Sequence, residues 1–169
     1  MKKYKYFADV EQYAFFTKTP CQFCGNESNC LEGIYFDREN IESVCMSCFE
    51  KMKACVEVPS YIRRRVNIDS ATKIEQLKYT PPIPWVQYND WQVCCDDFMT
   101  YIGEYDQDAF SNKYGVEGTV ELFESMLSKD THVKVDDINV LWEDIGYNTV
   151  AYFFMCSHCG KTLIVCQSY

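Results

Sequence analysis

Two pairs of cysteines near the start of the chain constrain its fold more than any other feature. The first pair is Cys21 and Cys24, the second is Cys45 and Cys48, and two residues separate the cysteines of each pair. Two such pairs at this separation are typical of a site in which four thiolates hold one zinc ion. Gly25 follows the first pair, where a tight turn favours a residue that adopts positive φ. We expect a closed zinc site here, with disulfides or unrelated buried thiols as the alternatives.

The composition favours a folded chain with reduced thiols. Its 169 residues suffice for one domain, or for one domain with a small zinc module at an end, and 47% of them are hydrophobic. The cysteines number eleven, an odd count, and the opening Met1-Lys2-Lys3 leads into no apolar run that would direct export. Thiols in such a chain stay reduced, which favours metal over disulfides. No stretch approaches the roughly 20 apolar residues that span a bilayer, so we expect a cytoplasmic protein.

The charge argues against nucleic acid as the main partner. The net charge is −9 and the pI is about 4.7, whereas a protein that binds phosphate backbones presents a positive footprint. The basic cluster Arg63-Arg64-Arg65 is typical of a solvated face. We expect a protein partner, and neither nucleic acid nor a membrane.

The apolar spacing predicts helices through the middle of the chain. Expected helices cover residues 49–55, 69–78, 91–102 (with Trp91, Cys94 or Cys95, Phe98 and Ile102 on one buried face), 120–127 and 138–145. Residues 104–117 are polar, and we expect a loop or a broken helix there. Three prolines within residues 80–84 exclude a helix or a central strand. They mark an internal boundary, and we expect this proline segment to be rigid and to cross the surface of the protein.

In the final segment the helical spacing of apolar residues gives way to continuous β-prone runs. Residues 150–155 and 163–165 are two β-prone runs, and Cys156 and Cys159 lie in the turn between them. This pattern predicts a hairpin with a cysteine knuckle at its tip.

The knuckle at Cys156 and Cys159 is half of a zinc site, because two thiolates leave the ion under-coordinated. The remaining metal-binding residue types are Cys30, Cys55, Cys94, Cys95, Cys166, His132 and His158. Cys94 and Cys95 form the only other close pair, so we expect them to share a second zinc ion with the knuckle. On a regular helix adjacent side chains diverge by about 100°, so whether Cys94 or only Cys95 binds stays open.

The other candidates have ordinary explanations. We expect Cys30, Cys55 and Cys166 to be inert buried thiols, His158 to be exposed on the knuckle and His132 to lie in a loop. Asp96 and Asp97 could act as acid–base carboxylates, yet acidic residues at a helix start are common. The sequence contains no P-loop, no glycine-rich dinucleotide motif and no G-x-S motif.

Taken together, the motifs resemble those of the CbrC family of bacterial proteins. The resemblance rests on the paired knuckles at Cys21–Cys24–Gly25 and Cys45–Cys48, on Trp91-x-x-Cys94-Cys95-x-Asp97 with Phe98 and Gly103, and on Phe154-x-Cys156-x-His158-Cys159-Gly160-Lys161. It runs in order from about residue 5 to residue 166. The family carries a His-Cys pair where this chain has Cys94-Cys95, an exchange that a metal ligand tolerates. The resemblance implies two zinc sites and no reaction, and one family member is linked to colicin tolerance.

These observations predict an α+β protein in which the elements pack as one compact unit. A zinc ribbon-like module is expected over residues 1–59, followed over 60–169 by a body with a helical middle and the C-terminal knuckle hairpin. The expected function is that of a non-enzymatic zinc protein that binds a partner in bacterial stress or colicin tolerance. The alternative is a zinc- or thiol-dependent enzyme that uses Cys94, Cys95 and Asp97, and a closed set of four protein ligands would argue against it.

Overall fold

The computed structural model describes residues 2–38, 40–67, 70–129, 131 and 137–169. It confirms a mixed α+β fold. The chain divides into two compact units: unit 1 comprises the residues up to Pro84 together with Asp96–Phe98, and unit 2 comprises Trp85–Cys95 and Met99–Tyr169. The division that we expected after residue 59 stays a prediction. The first segment of unit 1 ends at Pro84, the last residue of the proline segment.

In its described residues, unit 1 contains a small antiparallel sheet and four short helices. Its strands are β1 (Phe16–Thr17), β2 (Cys30–Glu32) and β3 (Ser43–Cys45), in the order β1-β2-β3, and strand β5 (Asp97–Phe98) also belongs to this unit. Its helices are α1 (Val10–Tyr13), α2 (Met46–Glu50), α3 (Ser60–Arg63) and α4 (Ser70–Lys78), with a 3-10 turn at Gly33–Tyr35. The register pairs Cys30 with Cys45. The sheet therefore places Cys45, the first residue of the second cysteine pair, beside the strand that follows the first pair.

Gly33 connects β2 to the 3-10 turn at a point where two backbone segments nearly touch. A Cβ atom built on Gly33 would lie 1.8 Å from the carbonyl oxygen of Ile41. Its amide donates to the carbonyl of Glu42 at 2.9 Å. Only a residue without a side chain permits this approach, which keeps β2 and β3 in register.

The helix expected over residues 49–55 is misplaced. Helix α2 begins at Met46 and ends at Glu50. Met52 has a φ of 59° and is 59% exposed, so it does not belong to a buried helix face. The left-handed conformation at Met52 ends the helix, because a residue with positive φ breaks the right-handed hydrogen-bond pattern.

Helix α4 confirms the helix expected over 69–78, of which residue 69 lies outside the described residues. The expectation that the proline segment crosses the surface is wrong. Thr80, Pro81, Pro82 and Ile83 are all buried. Prolines have no N–H group, so this segment buries few backbone donors that would need a partner.

Unit 2 is organised around the antiparallel sheet β6-β7-β8. Strand β6 covers Thr100–Glu104, β7 covers Thr149–Met155 and β8 covers Thr162–Ser168, and the short strand β4 covers Val93–Cys94. Strands β7 and β8 pair along their whole length, from Thr149 with Ser168 to Met155 with Thr162. The expected C-terminal hairpin is confirmed. The side chains of Tyr152, Phe153 and Phe154 are fully buried and form much of this unit's core.

The helix expected over residues 91–102 is wrong. Strands β4, β5 and β6 occupy this stretch, and Cys95 and Asp96 between them have φ values of 54° and 55°. Two consecutive residues with positive φ are typical of the type I′ turn. Strand β6 obtains its backbone partners from β7, where Tyr101 lies opposite Phe154. The apolar spacing alone could not distinguish these distant partners from a helix, because periodicity reports local burial only.

Three helices complete the part of unit 2 that the structure describes. Residues expected as a loop or broken helix form helix α5 (Gln107–Tyr114), which begins where the Asp106 carboxylate accepts a hydrogen bond from the Ala109 amide at 2.8 Å. Helices α6 (Thr119–Met126) and α7 (Ile138–Asp144) confirm the two amphipathic helices. Asp137 caps α7, where its carboxylate accepts a hydrogen bond from the Asn139 amide at 2.9 Å. In the described part of the chain, every helix falls short of the length and apolarity needed to cross a bilayer.

Candidate metal centres

The first candidate centre consists of the four cysteines of the two N-terminal pairs. The sulfur atoms of Cys21, Cys24, Cys45 and Cys48 all lie within 4.8 Å of one another. The Sγ atoms of Cys24 and Cys45 are 3.6 Å apart. We call this set the first centre.

Local backbone hydrogen bonds shape the two knuckles of the first centre. The amides of Cys24 and Gly25 both donate to the carbonyl of Cys21, at 3.3 and 2.7 Å, and Gly25 has the expected positive φ of 71°. Cys45 ends strand β3, and Cys48 lies in helix α2 immediately after it. A strand end followed by a helix start aims both sulfurs of the second pair at one point, as the two-residue spacing requires.

The second candidate centre lies within unit 2. It consists of Cys94, Cys95, Cys156 and Cys159, whose sulfur atoms also lie within 4.8 Å of one another. Cys94 Sγ is 3.8 Å from Cys95 Sγ and 3.6 Å from Cys159 Sγ. We call this set the second centre.

Adjacent cysteines can share the second centre because the backbone there is not helical. Cys94 ends strand β4, and Cys95 is the first of the two residues with positive φ. The opposing knuckle closes the β7–β8 hairpin: the Gly160 amide donates to the Cys156 carbonyl at 2.9 Å, and the Cys156 amide donates to the Lys161 carbonyl at 2.8 Å. The turn at Cys95 thus permits what a regular helix would prevent.

The sulfur spacing fits a tetrahedral metal ion. Zinc–sulfur bonds of about 2.3 Å in a tetrahedron place the sulfurs about 3.8 Å apart. The Cys24–Cys45 separation of 3.6 Å and the Cys94–Cys95 and Cys94–Cys159 separations of 3.8 and 3.6 Å agree with this value, and all eight cysteines are free thiols. A disulfide would bring two sulfurs to about 2.0 Å. Both donor sets therefore fit a thiophilic ion held by four cysteines.

The two centres differ in burial. In the first centre Cys21, Cys45 and Cys48 are buried and only Cys24 is exposed. In the second centre only Cys156 is buried, while Cys95 and Cys159 are exposed and Cys94 is half-buried.

Each centre contains one thiol that ionises easily and at least one that does not. Burial and then hydrogen bonding to Cys24 raise the pKa of Cys48 to about 12, and burial and then hydrogen bonding to Cys159 raise the pKa of Cys94 to about 12. Burial alone would raise the pKa of Cys21, but backbone amide hydrogen bonds outweigh it and lower the pKa to about 6. A hydrogen bond from the Lys161 amide lowers the pKa of Cys159 to about 7. Four crowded thiols cannot all ionise unless a cation neutralises them.

The three remaining cysteines have other partners or surroundings. Cys30 Sγ donates to the Asn26 carbonyl at 3.1 Å, and Cys55 Sγ donates to the Asp37 carboxylate at 3.0 Å. Cys166 is buried in β8, which raises its pKa to about 12. None of the three belongs to either sulfur set. That they bind no metal stays a prediction.

The predictions for the two histidines have different outcomes. His158 is exposed on the knuckle, as expected, and does not belong to the second centre. His132 lies outside the described residues.

The two carboxylates considered for acid–base chemistry are engaged within unit 1. Asp97 is buried and accepts hydrogen bonds from Lys5 Nζ at 2.6 Å and from the Tyr6 hydroxyl at 2.8 Å. Asp96 accepts from the Asn67 amide at 2.8 Å, and Lys73 Nζ lies 3.3 Å from its carboxylate. Sequence reasoning missed Lys5, Tyr6 and Lys73, because no spacing rule links residues so far apart in the chain.

The fold and the two cysteine centres define the chain as a small α+β protein with two candidate four-cysteine metal sites. The chain belongs to the family described as Uncharacterised protein family (UPF0167), whose model matches residues 1–167. No curated protein and no solved structure matches it. The narrower resemblance to the CbrC family stays a prediction.

Proposed function

We propose that the protein binds two zinc ions, one at each centre, and that both ions are structural. The observation that carries this proposal is that two separate sets of four cysteine sulfurs each lie within 4.8 Å of one another. Sγ–Sγ distances of 3.6 Å in the first centre and of 3.6 and 3.8 Å in the second suit a shared ion. Each proposed ligand belongs to a knuckle or strand end whose backbone already aims its sulfur at the centre. Zinc is the ion that protein sites with four cysteines most often hold.

A zinc ion at either centre would cross-link chain segments and supply no reaction. Four protein sulfurs complete its coordination and leave no position for water or substrate. Within unit 2 the second ion would connect Cys94 and Cys95 to the tip of the hairpin. Cys94 and Cys159 are 65 positions apart in the chain. The enzymatic alternative obtains no support from Asp97, whose oxygens accept hydrogen bonds from Lys5 and Tyr6.

Native mass spectrometry tests the zinc proposal. We expect the protein purified without chelator to carry the added mass of two zinc ions, and denaturation in acid to remove both. Cys156→Ser should leave one ion, whereas the matched change Cys166→Ser in the same hairpin should leave two. A wild-type protein that carries no metal when purified in zinc-containing buffer contradicts the proposal.

The biological role that we propose is partner binding in the cytoplasm during bacterial stress or colicin exposure. The resemblance to the CbrC family supports the colicin link. The net charge of −9 favours a partner that presents basic groups. Unit 2 offers a suitable surface: a pocket of about 270 Å³ whose lining includes Glu104, Asp106, Tyr147 and Tyr169. Carboxylates beside tyrosine rings suit the ammonium or guanidinium group of a partner's side chain.

A survival assay tests this role. We expect expression of the chain in a colicin-sensitive bacterium to raise survival, and Glu104→Gln combined with Tyr147→Ala to abolish the gain. Glu121→Gln changes the charge equally on the exposed face of α6 and should have no effect. If the chain gives no protection, the colicin role is wrong. If the pocket variant protects as well as wild type, the partner binds elsewhere.

A further inference from the structure

The second centre has more exposed cysteines than the first. The first centre has three buried cysteines, Cys21, Cys45 and Cys48, which are 2%, 1% and 4% exposed. In the second centre Cys95 and Cys159 are both exposed, and only Cys156 is buried. Oxidants reach cysteines in proportion to their exposure, so two centres of the same composition differ in what can attack them.

We propose that the second centre is an oxidant-reactive modification site, at which Cys159 reacts with a hydroperoxide and then forms a disulfide with Cys94. The inference deepens the zinc proposal, on which its metal-release part rests. Cys159 is exposed, and its Sγ lies 3.6 Å from the Sγ of Cys94, closer than the 3.8 Å that separates Cys94 from Cys95. A resolving thiol at this distance captures an oxidised neighbour without a large rearrangement.

The chemistry requires one hydroperoxide for each disulfide. The Cys159 thiolate attacks the nearer peroxide oxygen, an S–O bond forms, the O–O bond breaks, and the departing hydroxide or alkoxide takes a proton. The Cys94 thiol then gives up its proton as its sulfur attacks the sulfur of the Cys159 sulfenic acid. The S–S bond forms, the S–O bond breaks, and the departing hydroxide takes up that proton and leaves as water. Two thiols are oxidised by two electrons in all, and the hydroperoxide is reduced to water and to water or an alcohol.

Oxidation would dismantle the second centre alone. A disulfide between Cys94 and Cys159 removes two of the four donors, and the remaining pair of thiolates cannot hold zinc tightly. The residues concerned are the end of β4 and the tip of the β7–β8 hairpin, both in unit 2. The first centre, in which three of the four cysteines are buried, keeps its four donors.

Peptide mapping after limited treatment with hydrogen peroxide tests the proposal. We expect the first disulfide to join Cys94 and Cys159, and to form several-fold faster than any oxidation in the first centre. In protein that carries two zinc ions, native mass spectrometry should show one ion lost as this disulfide appears. Oxidation that begins in the first centre, equal rates at both centres, or a first disulfide that excludes Cys159 would overturn the proposal.

Two variants separate this inference from the zinc proposal. In Cys94→Ser the Cys159 sulfenic acid should persist and be trapped by dimedone, whereas Cys24→Ser, in the first centre, should leave oxidation of Cys159 unchanged. Trapping that is absent in Cys94→Ser contradicts the assigned order of attack. The disulfide and dimedone readouts need no bound metal, so a protein without zinc would refute the zinc proposal and still test the reactivity of Cys159.

Discussion

The Sγ atoms of Cys94 and Cys159 lie 3.6 Å apart, although 65 positions separate the two residues in the chain. Two thiolates on one tetrahedral zinc ion lie about 3.8 Å apart, so the separation suits a shared ion. Such an ion would close a loop that contains helices α5, α6 and α7. The free energy of metal binding would then also be free energy of folding for unit 2.

Removal of one ligand from the first centre should unfold the zinc knuckles of unit 1. We expect Cys48→Ser to lose one zinc ion and to lose hydrogen-exchange protection across β2, β3 and α2. Structural zinc contributes roughly 10–16 kcal/mol in zinc-finger peptides at neutral pH, more than the stability of a typical small domain. Exchange measured by mass spectrometry, peptide by peptide, reports the loss.

Unit 2 supplies the internal control for Cys48→Ser. Its β7–β8 hairpin should keep its protection, because its own four sulfurs are unchanged. A Cys48→Ser protein that retains two zinc ions would contradict the ligand assignment.

Cys30 should be replaceable, although it lies directly opposite Cys45 in the sheet. Its thiol donates to the Asn26 carbonyl, which also accepts the Cys21 amide at 2.7 Å. We expect Cys30→Ser to keep both zinc ions, and Cys30→Ala to lower the free energy of unfolding by about 0.5–1.5 kcal/mol, the usual contribution of a hydrogen bond. Metal content and urea unfolding measure the two effects. Loss of an ion from Cys30→Ser would make Cys30 a ligand.

Zinc affinity should fall as the pH falls. The pKa values of Cys48 and Cys94 are both raised to about 12, chiefly by burial, so both thiols are protonated at neutral pH and must each release a proton to bind metal. Each released proton weakens binding about tenfold when the pH is lowered by one unit. Competition with a chelator of known affinity, at pH values from about 6.5 to about 8.5 on either side of neutrality, measures how steeply the zinc affinity changes with pH. An affinity that does not change over this range would contradict thiolate ligation.

The Tyr6–Asp97 hydrogen bond should contribute more stability than the Lys5–Asp97 ion pair. Tyr6 is fully buried and its hydroxyl donates to a buried carboxylate, so Tyr6→Phe should cost roughly 1.5–3 kcal/mol. The Lys5 side chain is 45% exposed, and solvent screening reduces the expected cost of Lys5→Met to about 0–1 kcal/mol. Urea unfolding of both variants measures the two losses of unfolding free energy. A larger loss for Lys5→Met than for Tyr6→Phe would contradict this prediction.

The hydrogen bond between Tyr6 and Asp97 should also affect the stability of the protein at high pH. Burial, followed by the hydrogen bond to Asp97, raises the pKa of Tyr6 well above its ordinary value. The folded protein therefore holds a proton that the unfolded chain releases above pH about 10. The contribution of Tyr6 to stability is fully present below that pH and is lost as the pH rises further. Tyr6→Phe should flatten this part of the stability profile.

The sequence predicts the eight cysteines that converge because cysteine spacing encodes ligand geometry locally. Each knuckle contains its own turn, and the only other close pair, Cys94 and Cys95, was available to complete the set. The hairpin was also predictable from its two β-prone runs around the knuckle turn, and the helices α4, α6 and α7 were predictable from their apolar spacing.

The errors have a common physical cause, which is that partners distant in sequence decide local structure. Residues 91–102 carry a helical spacing, yet pairing with β7 makes β6 a strand. Helix α5 is polar overall and depends on one buried residue, Phe110, whose ring packs against Phe123 at 5.7 Å. Likewise no local pattern predicts that Lys5 and Tyr6 would hold Asp97.

X-ray absorption at the zinc K-edge of the native protein tests the central claim most directly. With two zinc ions bound per chain, we predict a first shell of four sulfur atoms at about 2.3 Å for the averaged sites. A sulfur count near four would agree with two closed structural centres. An average with oxygen or nitrogen replacing sulfur, or a single zinc ion per chain, would contradict the account.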